Sequence, residues 1–392
     1  MGSFLTNFLF FSFSIAGLFY FLGICETYNI QMLTIPYNFQ RFDNFKALDH
    51  LKLLKSENIS FTFPKESTVD MVGCCLERQT LVSYLFEQKE MTDQFQYSEI
   101  HDTFVTNKCD VYFNNSLFQF CRVYYTSLIE FPYVAGNITY LNNVIHVYMQ
   151  WPFHVGDFVF ITLTAICMFP QEILDKSSII LYETNPIVLD ALASFNINED
   201  RIIVTTHAEE IFYVHHLYSI TPHHCNSLRP VSFQKLRDHF IKYYNLDKNP
   251  PKNFVLLSRT GKTNELMNSK DILQTFNEAH PEINWLIDNE PKEFKNLVPY
   301  YNNILCLFTC TSSSIALSMF MQKDSVVCEI HGQFFEPLYL HSSAYLGHHH
   351  ILARIPGMSK TAEDPYELPL DTAAKMLELA LNYINGNQSK TN

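Results

Sequence analysis

The stretch FTCTSSSIALSMFMQKDSVVCEIHG, Phe308–Gly332, decides how the chain folds. Six small polar residues, Thr309 to Ser314, stand between two apolar runs, and the second run closes on a carboxylate, Glu329. Residues 304–308 read as a buried strand, 314–321 as a helix and 325–330 as another strand, so the small residues form a strand-to-helix turn. In a parallel sheet such turns lie at the carboxyl edge, where open α/β sheets bind their ligands. Small side chains let a ligand approach the backbone, and the free N–H groups of a helix start favour an anion. Glu329, at the carboxyl end of the next strand, is placed to accept hydrogen bonds from a ribose diol. The plainer reading of the same residues is a Thr/Ser helix cap and a solvated strand end.

The neighbouring sequence repeats the rhythm. Strand patterns at 253–258 and 284–288 alternate with helical patterns at 270–279, capped by Asn268 or Ser269, and 291–300. An amphipathic helix over 373–384 closes the chain. Upstream, strands at 179–182 and 201–205 flank a short helix at 186–193, again a parallel β-α-β unit. Two such halves predict an α/β protein of two facing Rossmann-like domains, 66–235 and 236–392, preceded by a stem at 26–65.

The 392 residues are 47% hydrophobic and only 17% charged, which excludes a disordered chain. A net charge of −13 without a basic run excludes a general nucleic-acid binder. Residues 4–24 form an apolar segment about long enough to cross a ~30 Å hydrocarbon core. A retained signal anchor and a cleaved signal peptide within 1–25 both fit; the length and the poor cleavage site favour the anchor. The start also fits a myristoylation pattern, although the apolar segment points to the secretory route. The expectation is a single-pass type II protein of the Golgi or endoplasmic reticulum membrane with a lumenal body. Sequons at Asn58, Asn114, Asn137 and Asn387 are compatible with this. Among the ten cysteines, Cys74, Cys75, Cys109 and Cys121 are the disulfide candidates, and Cys306, Cys310 and Cys328 read as buried thiols. No CxxC spacing indicates a zinc ribbon.

Three motifs together resemble glycosyltransferase family 61, which includes the lumenal transferase that adds N-acetylglucosamine to EGF-like domains and plant xylosyl- and arabinosyltransferases. Thr311-Ser312-Ser313-Ser314 stands at the family's His-Gly-Ala-Gly turn, and Glu329-Ile330 matches the Glu-Ile strand end. Ser258-Arg259-Thr260-Gly261-Lys262 followed by Asn268 resembles the family's Ser-Arg stretch, and Trp151 to Asp157 its His and Asp pair. The similarity covers about residues 145–355. It departs from the family pattern at Thr311, which replaces a His, at Lys262, which is all that remains of a basic cluster, and in the spacing of His154 and Asp157.

The resemblance implies a GT-B-like fold and an inverting transfer from a nucleotide sugar, UDP-GlcNAc or UDP-xylose, to a protein or glycan hydroxyl. It implies donor binding by Arg259, Lys262, Thr311, Ser312, Ser313, Ser314 and Glu329, with His154 or Asp157 as general base. No cofactor is implied. Asp288-Asn289-Glu290 is similar to a Mn²⁺-binding acidic motif, but GT-B enzymes generally neutralise the diphosphate with cationic side chains. His348-His349-His350, His215-His216 and His223-His224 are poor zinc sites by spacing, because adjacent histidines rarely converge on one ion. The alternative function is a glycosyltransferase-like module that binds a glycan or protein without catalysis, favoured by the missing turn His. A membrane-anchored structural protein, a third class, would bind no nucleotide.

Overall fold

The computed structural model describes residues 52–62, 68–72, 90–106, 111–113, 116–118, 139–147, 155–181, 183–205, 211–221, 230–246, 249–261, 265–331, 337–355 and 365–391. The apolar segment 4–24, His154, Lys262, His223, His224, Cys74, Cys75, Cys109 and Cys121 lie outside the described residues. No helix among those described is long and apolar enough to cross a membrane.

The chain opens with β1 (Lys52–Thr62), β2 (Thr68–Val72), β3 (Glu90–Thr106), β4 (Val111–Phe113), β5 (Ser116–Phe118) and β6 (Thr139–Ile145). An irregular helix α1 (155–166), α2 (Gln171–Leu174), β7 (Ser178–Leu181), α3 (Pro186–Ala193), β8 (Ile202–Val204) and β9 (Ile211–Thr221) follow, then α4 (Pro230–Tyr244). The first sheet has the order β5-β4-β3-β9-β6-β7-β8, with β1 also on β3. Strands β9, β6, β7 and β8 run parallel to one another, as the β-α-β pattern predicts. Strands β1, β3, β4 and β5 add an antiparallel wing that the sequence reading lacked. Part of the expected stem is thus the sheet strand β1.

The second half runs β10 (Asn253–Leu257), α5 (Ser269–Ala279), β11 (Trp285–Ile287), α6 (Phe294–Asn302), β12 (Ile304–Cys310), α7 (Ser313–Ala316), β13 (Val326–His331), α8 (Pro337–Leu346), β14 (His349–Arg354) and α9 (Leu370–Thr391). Its sheet has the order β11-β10-β12-β13-β14-β2, parallel throughout. The edge strand β2 comes from the span assigned to the other domain, because its register lies against β14.

Local sequence explains these elements. Pro186 opens α3 with its φ already suited to a helix, and the Asn185 side chain accepts from Val188 N at 3.0 Å. Asn268 precedes α5 without capping it; its amide instead donates to Leu368 O at 2.8 Å and accepts from Leu368 N at 3.1 Å, tying down the segment before α9. The β12 and β13 runs are apolar on both faces because both are covered. Leu307 and Val327 enter one core, while Cys306, Phe308, Cys328 and Ile330 enter the core beneath α9.

The first of these cores joins the two halves. Ile145, Ile179 and Tyr218 of the first sheet, Phe158 and Leu163 of α1 and Phe240 of α4 pack in the same cluster as Val255, Leu307 and Val327. Each large apolar side chain buried there contributes roughly 1.5–3 kcal/mol. Helix α4 spans the expected boundary between 235 and 236 and packs against elements of both halves.

Candidate active site

The order β11-β10-β12-β13 defines a switch point. From β10 the chain passes through α5 to β11 on one side, and from β12 through α7 to β13 on the other. The crevice between the carboxyl ends of two such strands is where open α/β sheets bind ligands. Arg259 lies two residues beyond the end of β10, and Thr311 directly follows β12. Leu257 and Thr309 are register partners, so the two loops begin side by side.

Arg259 is held in the left-handed region, at φ 61°, a conformation rare for a residue with a Cβ. Asp288, just beyond β11 and itself at φ 42°, supports it. One Asp288 oxygen accepts from Ser258 N at 2.6 Å and Arg259 N at 3.3 Å; the other accepts from Thr260 Oγ1 at 3.3 Å and from the Ser258 hydroxyl. Gly261 N donates to Glu265 Oε2 at 3.0 Å. The Asp288 carboxylate thus fixes the loop that presents Arg259. The positive charge of Arg259 reaches the Cys310 thiol and the Tyr366 phenol, where it opposes the upward push of burial; the thiol still stands at about 12. Arg259 therefore lies near enough to the β12 end for its charge to be felt there.

At that end the turn is buried. Thr311 N donates to Ile330 O at 2.9 Å, and Thr311 Oγ1 donates to Glu329 Oε1 at 2.7 Å. Glu329 is wholly buried, and its other oxygen lies 3.0 Å from His350 Nε2. His350 Nδ1 lies 2.9 Å from Ser343 Oγ. A carboxylate at Glu329 requires the proton on Nε2, leaving Nδ1 to accept from the Ser343 hydroxyl. Both Glu329 oxygens are thus engaged inside the protein, and the carboxylate supports the turn from beneath. Ser312 has extended backbone, and its hydroxyl is buried with no partner among the described residues. Ser314 Oγ donates to Glu290 Oε2 at 3.3 Å, and the Tyr301 hydroxyl donates to the other Glu290 oxygen. Burial, with Glu290 adjacent, pushes the Tyr301 phenol up, so it remains a donor. The expected helix at 314–321 is only four residues of α-helix followed by 3₁₀ winding at Leu317–Phe320. Its dipole is correspondingly short, and Arg259 carries more of the positive charge than the sequence reading assigned it.

Helix α1, which leads from β6 towards β7 of the first sheet, reaches the helix that follows the turn. Strand β6 has β9 on one side and β7 on the other, and α1 is the next described element after β6. Helix α1 packs against α7 through its first turn, which contains Asp157. From Phe158 to Leu163 the helix is π-wound, a geometry frequent at functional sites. Thr164 Oγ1 follows this wider turn, donating to Phe160 O at 2.5 Å and Ile161 O at 3.1 Å. The half-buried Asp157 thus stands on a helix of the first half that packs against α7, Ser313–Ala316. His154 and Lys262 lie outside the described residues.

Sequence reasoning missed Asp288 and His350 as supports. Asp288 had been noted only as part of an acidic triplet, and His350 only within a run of histidines. Their partners lie on neighbouring strands, 30 and 21 residues away. Asn289 accepts from Tyr300 Oη at 2.6 Å, so all three acidic-triplet side chains hold protein groups.

The family model of glycosyltransferase 61 matches residues 116–328, more than half of the chain. The match takes in Asp157, Arg259 and the turn, and stops one residue before Glu329. Among curated proteins, none matches the chain. With its strand order, switch point and small-residue turn, the chain belongs to the glycosyltransferase 61 family.

Proposed function

We propose that the protein is an inverting glycosyltransferase of the GT-B type that takes a nucleotide sugar at the β10/β12 switch point. What supports this reading is that the loops carrying Arg259 and the 311–314 turn start from register-paired strands on one sheet edge, and that the helix carrying Asp157 packs on α7. A nucleoside diphosphate needs a local cation on a chain whose net charge is −13, and Arg259 is a bidentate donor for it. Backbone N–H groups of the turn and the unsatisfied Ser312 hydroxyl add neutral donors, and Lys262 a second cation. Glu329 keeps the turn in shape and contacts the donor only through it. As the bond from the sugar to the diphosphate breaks, negative charge grows on the leaving oxygen and these donors stabilise it. Asp157 or His154 takes the proton of the acceptor hydroxyl as that oxygen attacks the anomeric carbon from the opposite side. No metal takes part in this scheme.

The donors proposed are UDP-GlcNAc and UDP-xylose, and the acceptor is a protein or glycan hydroxyl in the secretory pathway. The apolar segment 4–24 supports anchoring in the Golgi or endoplasmic reticulum membrane with the body in the lumen. A second reading, binding without catalysis, is favoured by one observation: Thr311 replaces the family's turn His and gives its hydroxyl to Glu329. A thermal-shift screen of UDP-sugars, followed by donor hydrolysis and transfer assays on the stabilising sugar, separates the two. Turnover that falls at least tenfold in Asp157→Asn supports the enzyme; stabilisation without turnover supports the binding module; no stabilisation by any nucleotide sugar overturns both.

A further inference from the structure

Away from this site, the antiparallel pair β3 and β9 brings three metal-ligating side chains together in mid-strand. His101 and His216 are register partners, and Glu99 lies two residues before His101. One ligand atom from each of Glu99, His101 and His216 falls within 4.8 Å of the others. His216 Nδ1 is 2.8 Å from Glu99 Oε1, and His101 Nε2 is 3.6 Å from Glu99 Oε2. The first is a hydrogen bond; the second is too long for one. A tetrahedral ion with ligands at ~2.0–2.1 Å sets its donor atoms about 3.3 Å apart, between these two separations. The imidazoles of His101 and His216 stand edge to face, with centroids 4.8 Å apart.

We propose that Glu99, His101 and His216 form a site for one divalent transition-metal ion of the zinc class, clipping the antiparallel wing of the first sheet to its parallel half. Two imidazole nitrogens and one carboxylate oxygen suit Zn²⁺ and exclude Mg²⁺ and Ca²⁺, which take oxygen ligands. Exposure fits an entry route. The Glu99 side chain is 8% exposed, that of His216 27% and that of His101 40%. The buried carboxylate is therefore fixed, and the more exposed His101 has room to close the last distance onto the ion. Solvent supplies the fourth ligand on the same side. A second carboxylate stands close by: Asp102 Oδ1 is 2.6 Å from His215 Nδ1 and accepts from Tyr213 Oη at 2.9 Å, and the His215 ring lies 4.2 Å from that of His216. Asp102 thereby orients the imidazole that packs on a ligand and offsets the ion's remaining charge. The site takes no part in the proposed transfer and does not depend on it.

The test uses the full chain, stripped with a chelator and dialysed. Co²⁺ titration should give saturable 1:1 visible absorption, displaced by Zn²⁺, and Zn²⁺ should raise Tm. His101→Ala, at the most exposed ligand, should leave the metal-free Tm unchanged and weaken Co²⁺ binding at least tenfold; His101→Ala/His216→Ala should abolish it. No saturable binding by the wild type, or the same affinity in the double variant, overturns the proposal. The second result would place the ion on other histidines of the chain.

Discussion

Glu329 supports the turn after β12 through side-chain contacts on both of its oxygens. It is wholly buried between Thr311 and His350, so removing either partner leaves charge or an acceptor uncompensated. Thr311→Val should cost about 1–3 kcal/mol in urea unfolding, the penalty of one lost buried hydrogen bond. His350→Leu should cost at least as much, because it removes the hydrogen bond to the other Glu329 oxygen and leaves the Ser343 hydroxyl without its partner. Equal, near-zero losses would mean that Glu329 is solvated. A second buried histidine sets the acid limit. Burial, and then the Arg237 charge, hold His348 at about 3, against an ordinary 6.5. Its Nε2 donates to Met321 O at 3.2 Å, and its Nδ1 is buried without a partner among the described residues. Between these values the unfolded chain binds a proton that the folded protein excludes. Stability therefore falls as pH drops from about 6.5 towards 3, by up to ~1.4 kcal/mol per unit from this group. His239, held by burial at about 4, adds to the same limb. His348→Asn should flatten the acid limb without abolishing it; an unchanged slope would show that His348 is protonated in the fold. The placement of Arg259 and the turn just beyond neighbouring strands was legible in the sequence because strand ends are. The Asp288 and His350 supports were not, since they act across strands.

At the scale of elements, the crossover units carried their own signals. Apolar runs, an Asn-Pro cap and regular alternation placed β7, α3, β8 and most of the second half. The antiparallel wing escaped because β3 carries Thr, Asp, Gln, Ser, Glu and His along its length, and β9 has two histidines at its centre. Both are strands because each pairs with the other, and pairing over such distance has no local signature. Helix α1 carries Asp157, a candidate base of the proposed reaction, and packs on α7. Its buried Leu163 belongs to the shared core, and Leu163→Ala should cost about 2–5 kcal/mol. Because α1 packs on α7, the same change should lower turnover beyond what the loss of folded protein explains. Normal specific activity of the folded fraction would show that the α1–α7 contact does not position Asp157.

At the scale of the whole molecule, the two sheets are not independent. Strand β2 crosses to complete the second sheet, and α4 and one core cluster belong to both halves. A fragment of residues 236–392 lacks β2, β6, α1 and the first six residues of α4, so it should show no cooperative thermal transition, while the full chain melts in one step. Two separate transitions would contradict the shared core. The sequence pattern did yield two α/β halves, each with parallel strands; it could not reveal the crossing of β2, which depends on a parallel register between Thr68 and His349.

The central claim is that the β10/β12 switch point holds a nucleoside diphosphate through Arg259. Calorimetric titration of the stabilising UDP-sugar into wild type and Arg259→Ala tests it most directly. Loss of a charge-assisted contact of roughly 1.5–3 kcal/mol predicts binding weakened about ten- to a hundredfold, with folding unchanged. Equal affinity in the two proteins would contradict the account and leave the small-residue turn as no more than a helix cap.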